Sequence, residues 1–197
     1  MNIHNQQLTD QTIEIGDAEQ FSVIANSSLE RCKIITSVSA LGISLDGSAL
    51  VDCEFVAKKQ LKGMSWATTS LRKVKFLGRY IENEFGSISE EVGRTTSSCD
   101  FTAAHLDGCM FYKCDLSTML FPKWPFFVVK HPVQNSGMMA GKAPNGNLET
   151  LCESFELLDP RVTAAVYYLP SVQKLISVEE QVLREFLGGF EDAIIEA

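Results

Sequence analysis

Six cysteines, three histidines and one run of cations are the side chains of this 197-residue chain with the means to do chemistry. Zinc favours paired ligands at C-x₂₋₄-C spacing with a matching second pair. Cys109 and Cys114 have four residues between them, and no second pair of that kind follows. His4, His105 and His131 are scattered outside any HExxH-like pattern, and no serine lies in a G-x-S-x-G elbow. His105 stands beside an apolar Leu106 and is expected to face solvent rather than act as a general base. The loop from Gly137 to Ala143 resembles a phosphate loop but is one residue short, and Ala143 stands where a magnesium-binding Ser or Thr belongs. These patterns point away from an enzyme, and neither a cofactor nor a metal is expected.

The cations are more telling. Lys58, Lys59, Lys62, Arg72, Lys73, Lys75 and Arg79 follow one another with no acidic residue between Phe55 and Ile81. Gathered on one face, they would form a positive patch in a chain whose net charge is −8. The acidity lies elsewhere: residues 1–125 balance at −3 and residues 126–197 at −5. A pI near 4.9 disfavours direct nucleic-acid binding unless that stretch acts alone.

The elements that must position these residues follow from a spacing of five. Small and large apolar residues recur two apart at Cys99 and Phe101, Ala104 and Leu106, Cys109 and Phe111, Cys114 and Leu116, Met119 and Phe121. Upstream the frame continues through Ile24, Leu29 and Ile34, then Leu45, Leu50 and Phe55, then Trp66, Leu71, Phe76 and Ile81. Register slips at roughly residues 35–44 and 56–61, and 82–98 reads as a polar insertion. Neither a helix nor an ordinary strand repeats at five, so the pattern marks a solenoid whose units lean on one another.

The segments Cys-Asp-Phe-Thr-Ala at 99–103, Ala-His-Leu-Asp-Gly at 104–108, Cys-Met-Phe-Tyr-Lys at 109–113 and Cys-Asp-Leu-Ser-Thr at 114–118 resemble the pentapeptide-repeat family. The resemblance spans about residues 22–121. It implies a mainly β fold, a right-handed quadrilateral β-helix in which four pentapeptides make one coil. Leu or Phe then fills the interior, with the small residue beside it. Cys32, Cys53, Cys99, Cys109 and Cys114 occupy that small slot and are expected to be buried apolar fillers.

Three regions are expected: a covering strand or cap at 1–21, the β-helix at 22–121 with its insertion, and a loop followed by a helical cap at 122–197. Helices are expected at Leu148–Leu158, after Asp159-Pro160, and from Ser177, where Ser-x-x-Glu reads as a capping box. Trp124, Phe126 and Phe127 are expected either to be buried by those helices or, if exposed, to be aromatic anchors. The apolar helical face with Tyr167 and Tyr168 is alternatively a homodimer or partner interface. No signal peptide and no membrane-spanning run is apparent, and reduced thiols fit the cytoplasm.

Proteins similar to this family are non-catalytic binders. Some are DNA mimics that engage DNA gyrase, and others are immunity proteins that neutralise a cognate bacterial toxin. A short, irregular repeat with a mixed-charge surface favours the second class, with the basic residues or the acidic cap supplying complementary charge.

Overall fold

The computed structural model describes residues 1–16, 21–88 and 95–195. Its chain winds through stacked parallel sheets into a β-solenoid of about four turns. The first face is built from β1 (Asn2–His4), β4 (Ser22–Ala25) and β7 (Ile43–Ser44). The second holds β2 (Gln7–Thr9), β5 (Ser28–Glu30), β8 (Ala49–Val51), β10 (Ser70–Arg72) and β13 (Thr96–Ser97). The third holds β3 (Thr12–Ile15), β6 (Lys33–Thr36) and the first halves of β9 (Glu54–Lys62) and β11 (Lys75–Ile81), whose ends continue the same sheet with β14 (Ala104–Asp107) as the fourth side. The first face resumes at Ser65, which bridges to β12 (Glu84–Gly86), and β12 pairs in parallel with β15 (Cys109–Tyr112).

The parallel ladder begins at Asn2, which pairs with Val23. The segment expected to cover the first coil is therefore itself that coil. Through the first turns the offset between stacked residues is 21, as between Ser27 and Ser48, and not 20. Three sides keep strict pentads and the fourth carries an extra residue. This explains the slips at 35–44, which hold a 3-10 turn at Ala40–Gly42, and at 56–61. At the corners Asn5, Asn26 and Gly47, and likewise Asp10, Arg31, Asp52, Lys73 and Ser98, take left-handed backbone conformations stacked coil on coil.

Leu8, Leu29, Leu50 and Leu71 form one interior column. Ile13, Ile34, Phe55, Phe76 and Phe101 line another, and Phe76 and Phe101 stack with centroids 4.7 Å apart. The small slots also bind backbone. Ser48 Oγ donates to Ile24 O at 3.0 Å, and the Cys53 thiol to Leu29 O at 3.3 Å. Each links one coil to the next, which makes small polar residues and cysteine interchangeable there.

Two expectations within the repeat are corrected. Tyr80 is fully buried in place of Ile81, because the register shifts between Gly78 and Tyr80. Gly78 has φ +109, and a Cβ there would lie 2.2 Å from Ala57 O, so the shift is anchored at a position that excludes side chains. The polar insertion also contributes to the core. Phe85 stacks on Trp66, and Asn83, two before it, fills the small slot. The Asn83 amide donates to Leu61 O and Ile81 O, both at 2.8 Å, and accepts from Trp66 Nε1. The rest of that insertion, residues 89–94, lies outside the described residues.

The C-terminal region holds the helices expected, but a strand, not a helix, covers the edge of the solenoid. β17 (Val162–Tyr168) pairs antiparallel with β15, then with β16 (Phe126–Lys130), which pairs with β18 (Ile194–Ile195). The first face thus continues into the terminal region, and its open edge is satisfied by a strand. Asp159-Pro160 is not a helix start. The Asp159 carboxylate accepts from Arg161 N at 2.9 Å in a turn that leads into β17. The loop expected at 134–147 holds helix α1 (Pro132–Ala140), with proline in its first turn. Helix α2 (Gly146–Ser154) stands as expected, capped by Asn145 on Leu148 N at 3.1 Å. Helices α3 (Leu169–Ile176) and α4 (Glu180–Gly188) complete the region; Ser177 ends α3 with a left-handed conformation, so its capping box does not form. These elements enclose a second core around Phe127, Leu151, Phe155, Leu183 and Leu187. No helix among the described residues is long and apolar enough to cross a membrane.

Candidate partner-binding site

Stacking redistributes the seven cations. Arg72 lies on the second face, Lys73 at a corner, Lys75 on the third face, and Lys58, Lys59, Lys62 and Arg79 where the same sheet runs on to the fourth side; all are exposed. Along the corner the order is Asp10, Arg31, Asp52, Lys73, with Arg31 Nε 2.8 Å from Asp10 and Lys73 Nζ 3.8 Å from Asp52. At the start of the third face the order is Lys33, Glu54, Lys75, Asp100, with Lys33 Nζ 2.5 Å from Glu54 and the backbones of Lys75 and Asp100 paired as neighbours in the ladder. Lys62 Nζ lies 3.2 Å from Glu82. A cation run along the sequence becomes alternating charge along the solenoid axis, because neighbours in space are a coil apart.

One part of the run stays basic. β9 bulges: Ala57 pairs with Gly78 and Leu61 with Tyr80, so Lys58, Lys59 and Gln60 all stand opposite Arg79. Two extra residues cannot fit the ladder and are extruded, and all three are exposed. Arg79 in turn pairs with His105. Among the described residues, Lys58, Lys59 and Arg79 form no ion pair.

His105 is not the free surface residue expected. Its ring is half-buried, edge-on to Tyr168 and Phe126 at centroid distances of 4.5 and 5.0 Å. Nε2 is buried without a hydrogen-bond partner among the described residues. Burial foremost, and then the nearby Arg79 guanidinium, hold its pKa below the usual 6.5, against the opposing pull of Asp107. The contact spans residues far apart in the chain, which leaves no local signal for it.

The aromatic segment divides. Phe127 is fully buried against Tyr167 in the second core and is no exposed anchor. Trp124 is half-buried, its Nε1 donating to Glu180 at 2.8 Å and its ring lying beneath Arg184. Phe126 stacks on Tyr168 at 4.8 Å, half-exposed where the terminal region meets the solenoid. Lys58, Lys59, Arg79, His105 and Phe126 are thus the predicted and unpredicted residues that one surface brings together.

The cysteines take no part. All six are free and buried. Burial pushes Cys99 up to about 11 and Cys109 and Cys114 up to about 12. These groups stay protonated thiols at neutral pH, unlike the thiolates that attack substrates or bind metal.

Comparison with known proteins adds little to this geometry. No family model matches the chain, and no curated protein matches it. Among solved structures, it is similar to full-length QnrB1, a plasmid-mediated fluoroquinolone resistance protein, at 12% identity, covering 61% of this chain and 82% of that one with a TM-score of 0.20. A trypsin-treated variant of QnrB1 gives 12% identity, 61% and 80% coverage and a TM-score of 0.21. The stacked coil itself, rather than this likeness, carries the β-solenoid assignment.

Proposed function

We propose that this chain is a non-enzymatic protein-binding solenoid of the pentapeptide-repeat type whose partner is a cognate bacterial toxin, neutralised by being covered. The observation that supports this reading is the alternation of charge from coil to coil at Asp10, Arg31, Asp52 and Lys73 and at Lys33, Glu54 and Lys75. Mimicry of a nucleic-acid duplex needs the same sign repeated at every step, whereas recognition of one folded protein needs an irregular arrangement of signs. Protonated interior thiols and a half-buried histidine fit a binder as well.

A second reading, a DNA mimic that engages gyrase, draws on the −8 net charge and its excess in residues 126–197. The two separate in one pair of measurements. A toxin-neutralising protein captures a single toxic protein from the source organism's lysate, abolishes that protein's toxicity on co-expression, and leaves gyrase supercoiling unchanged. Altered supercoiling by purified gyrase, lost when acidic residues are removed, reverses the ranking.

A further inference from the structure

The third face carries more than charge. Its outward residues fall into columns along the solenoid axis, neighbours in a column being about 4.8 Å apart and adjacent columns about 6.6 Å apart. Ile35 pairs with Val56 and Val56 with Leu77, so three aliphatic side chains line up on the outside of three successive coils. Each is only partly buried. Among the described residues of the first three faces, no other outward column repeats an aliphatic through three coils. The second face, for comparison, offers Ser28, Ala49 and Ser70 in one column and Glu30, Val51 and Arg72 in the next.

This apolar column lies between two unlike neighbours. On one side Lys33, Glu54 and Lys75 alternate in sign. On the other stand the extruded Lys58 and Lys59, opposite Arg79, and the basic row runs on to His105 beneath Phe126 and Tyr168. An apolar strip with one basic border is complementary to a segment with an apolar edge and one acidic flank.

Spacing selects the segment's conformation. An α-helix laid along the axis presents one apolar residue per turn of about 5.4 Å, so over the two steps from Ile35 to Leu77 it drifts from the coils by about 1.2 Å. An extended strand repeats its face every 6.8 Å or so, drifting about 4 Å over the same steps. The backbone groups of β6, β9 and β11 are moreover engaged with neighbouring coils, which leaves a face to pack against and no edge to pair with. A second copy of this chain cannot supply the helix, since the apolar sides of its acidic helices, Leu148 and Leu151 in α2 and Leu183 and Leu187 in α4, are already buried.

We infer that the outer surface of the third sheet is the docking site for an amphipathic acidic helix of the partner protein, its apolar edge on Ile35, Val56 and Leu77 and its carboxylates on Lys58, Lys59 and Arg79. This rests on the protein-binding reading and names the partner chemistry.

The test uses the full chain and a synthetic stapled helix of about five turns, with leucine on one edge and glutamate along one flank. Binding is read by fluorescence anisotropy. The glutamate peptide binds, with affinity that falls as salt rises, and the same peptide with lysine in place of glutamate does not. Lys58→Glu with Lys59→Glu weakens binding by about tenfold or more, and Val56→Ser weakens it by several-fold, while Val51→Ser on the second face has no effect. Thermal melting of each variant first establishes that it folds. Equal binding of both peptides, or none of the glutamate peptide, overturns the inference. So does retention of a DNA duplex that depends on Lys58 and Lys59 but not on Val56, which would make the face a polyanion site. If the protein partner captured from lysate is held equally well by the Lys58, Lys59 double variant, the docking site is wrong and the protein-binding reading stands. If nothing is captured while the peptide binds as described, the reading fails alone.

Discussion

The solenoid and the terminal α/β region bury comparable kinds of residue by unlike means. In the coils interior side chains rest on counterparts a coil away, as Phe55, Phe76 and Phe101 do, so the core is a line. In the terminal region Phe127, Phe155, Leu183 and Leu187 come from separate strands and helices and meet around a closed core. A stacked core is held by nearest-neighbour terms, and a break at one level is felt mainly by the levels beside it. A closed core is lost or kept as a unit. β17 joins the two, pairing with β15 of the last coils on one side and β16 on the other.

The largest expected effect breaks the stack. Phe76 meets Phe55, Trp66, Tyr80, Phe85 and Phe101, and Phe76→Ala is expected to cost about 3–5 kcal/mol. Leu183→Ala should cost about 2–5 kcal/mol in the second core. Hydrogen exchange distinguishes the regions: the first variant exposes amides of β9, β11 and β14 before those of β16, and the second does the reverse. Simultaneous exchange throughout in both variants would mean that the two cores unfold as one.

Asn83→Ala comes next. It removes an amide that donates to Leu61 O and Ile81 O and accepts from Trp66, leaving those buried groups unsatisfied, so a loss of about 1–3 kcal/mol is expected in urea melts. Asn83→Ser should recover part of it, since serine fills the same slot at Ser27 and Ser48.

Reversing one sign in the corner column sharpens the contrast at the surface. Asp52→Lys places three cations in succession at 31, 52 and 73, and should cost about 1 kcal/mol or less, shrinking with added salt. The left-handed backbone there already accommodates lysine at 73.

The smallest effect is a pH slope at the junction. His105 is held below its ordinary 6.5, so as pH falls through 6.5 the unfolded chain takes up a proton that the folded one refuses. Stability is therefore fully present above 6.5 and declines below it, until the folded pKa is reached. The melting temperature of His105→Gln should depend less on pH over that window than that of the parent. Identical slopes would show that Phe126 and Tyr168 do not shield the ring.

The solenoid is legible in its spacing where one rule operates at every level. Five-residue recurrence exposed Leu29, Leu50 and Leu71, and the small-slot rule placed Cys32, Cys53 and Cys99, because each coil imposes the same requirement as the last. The rule is locally displaced at Tyr80 and Phe85, past a glycine that admits no side chain, and it is incomplete at Asn2–Ile15, where Ile3, Leu8 and Ile13 keep the step of five but Met1, Gln6 and Gln11 stand where small residues belong. In the terminal region α2 and α4 were legible from helical periodicity. β17 was not, since Ala164, Ala165 and Val166 are buried on both sides and show no alternation. Of the candidate surface, the cations could be found one by one, but their grouping could not.

Sequence alone determined that the chain repeats, which residues enter most of the coils, and why the five cysteines of the repeat are buried fillers, since these depend on local spacing and side-chain size. Tertiary structure decided which charges are neighbours. Residues 21 apart lie within a strand spacing of one another, so the coil step pairs Lys73 with Asp52 and Lys33 with Glu54, while the extra residues of one bulge leave Lys58 and Lys59 facing Arg79 beside an aliphatic column. Charge acts through distance in space, and that distance is set by the stacking of coils.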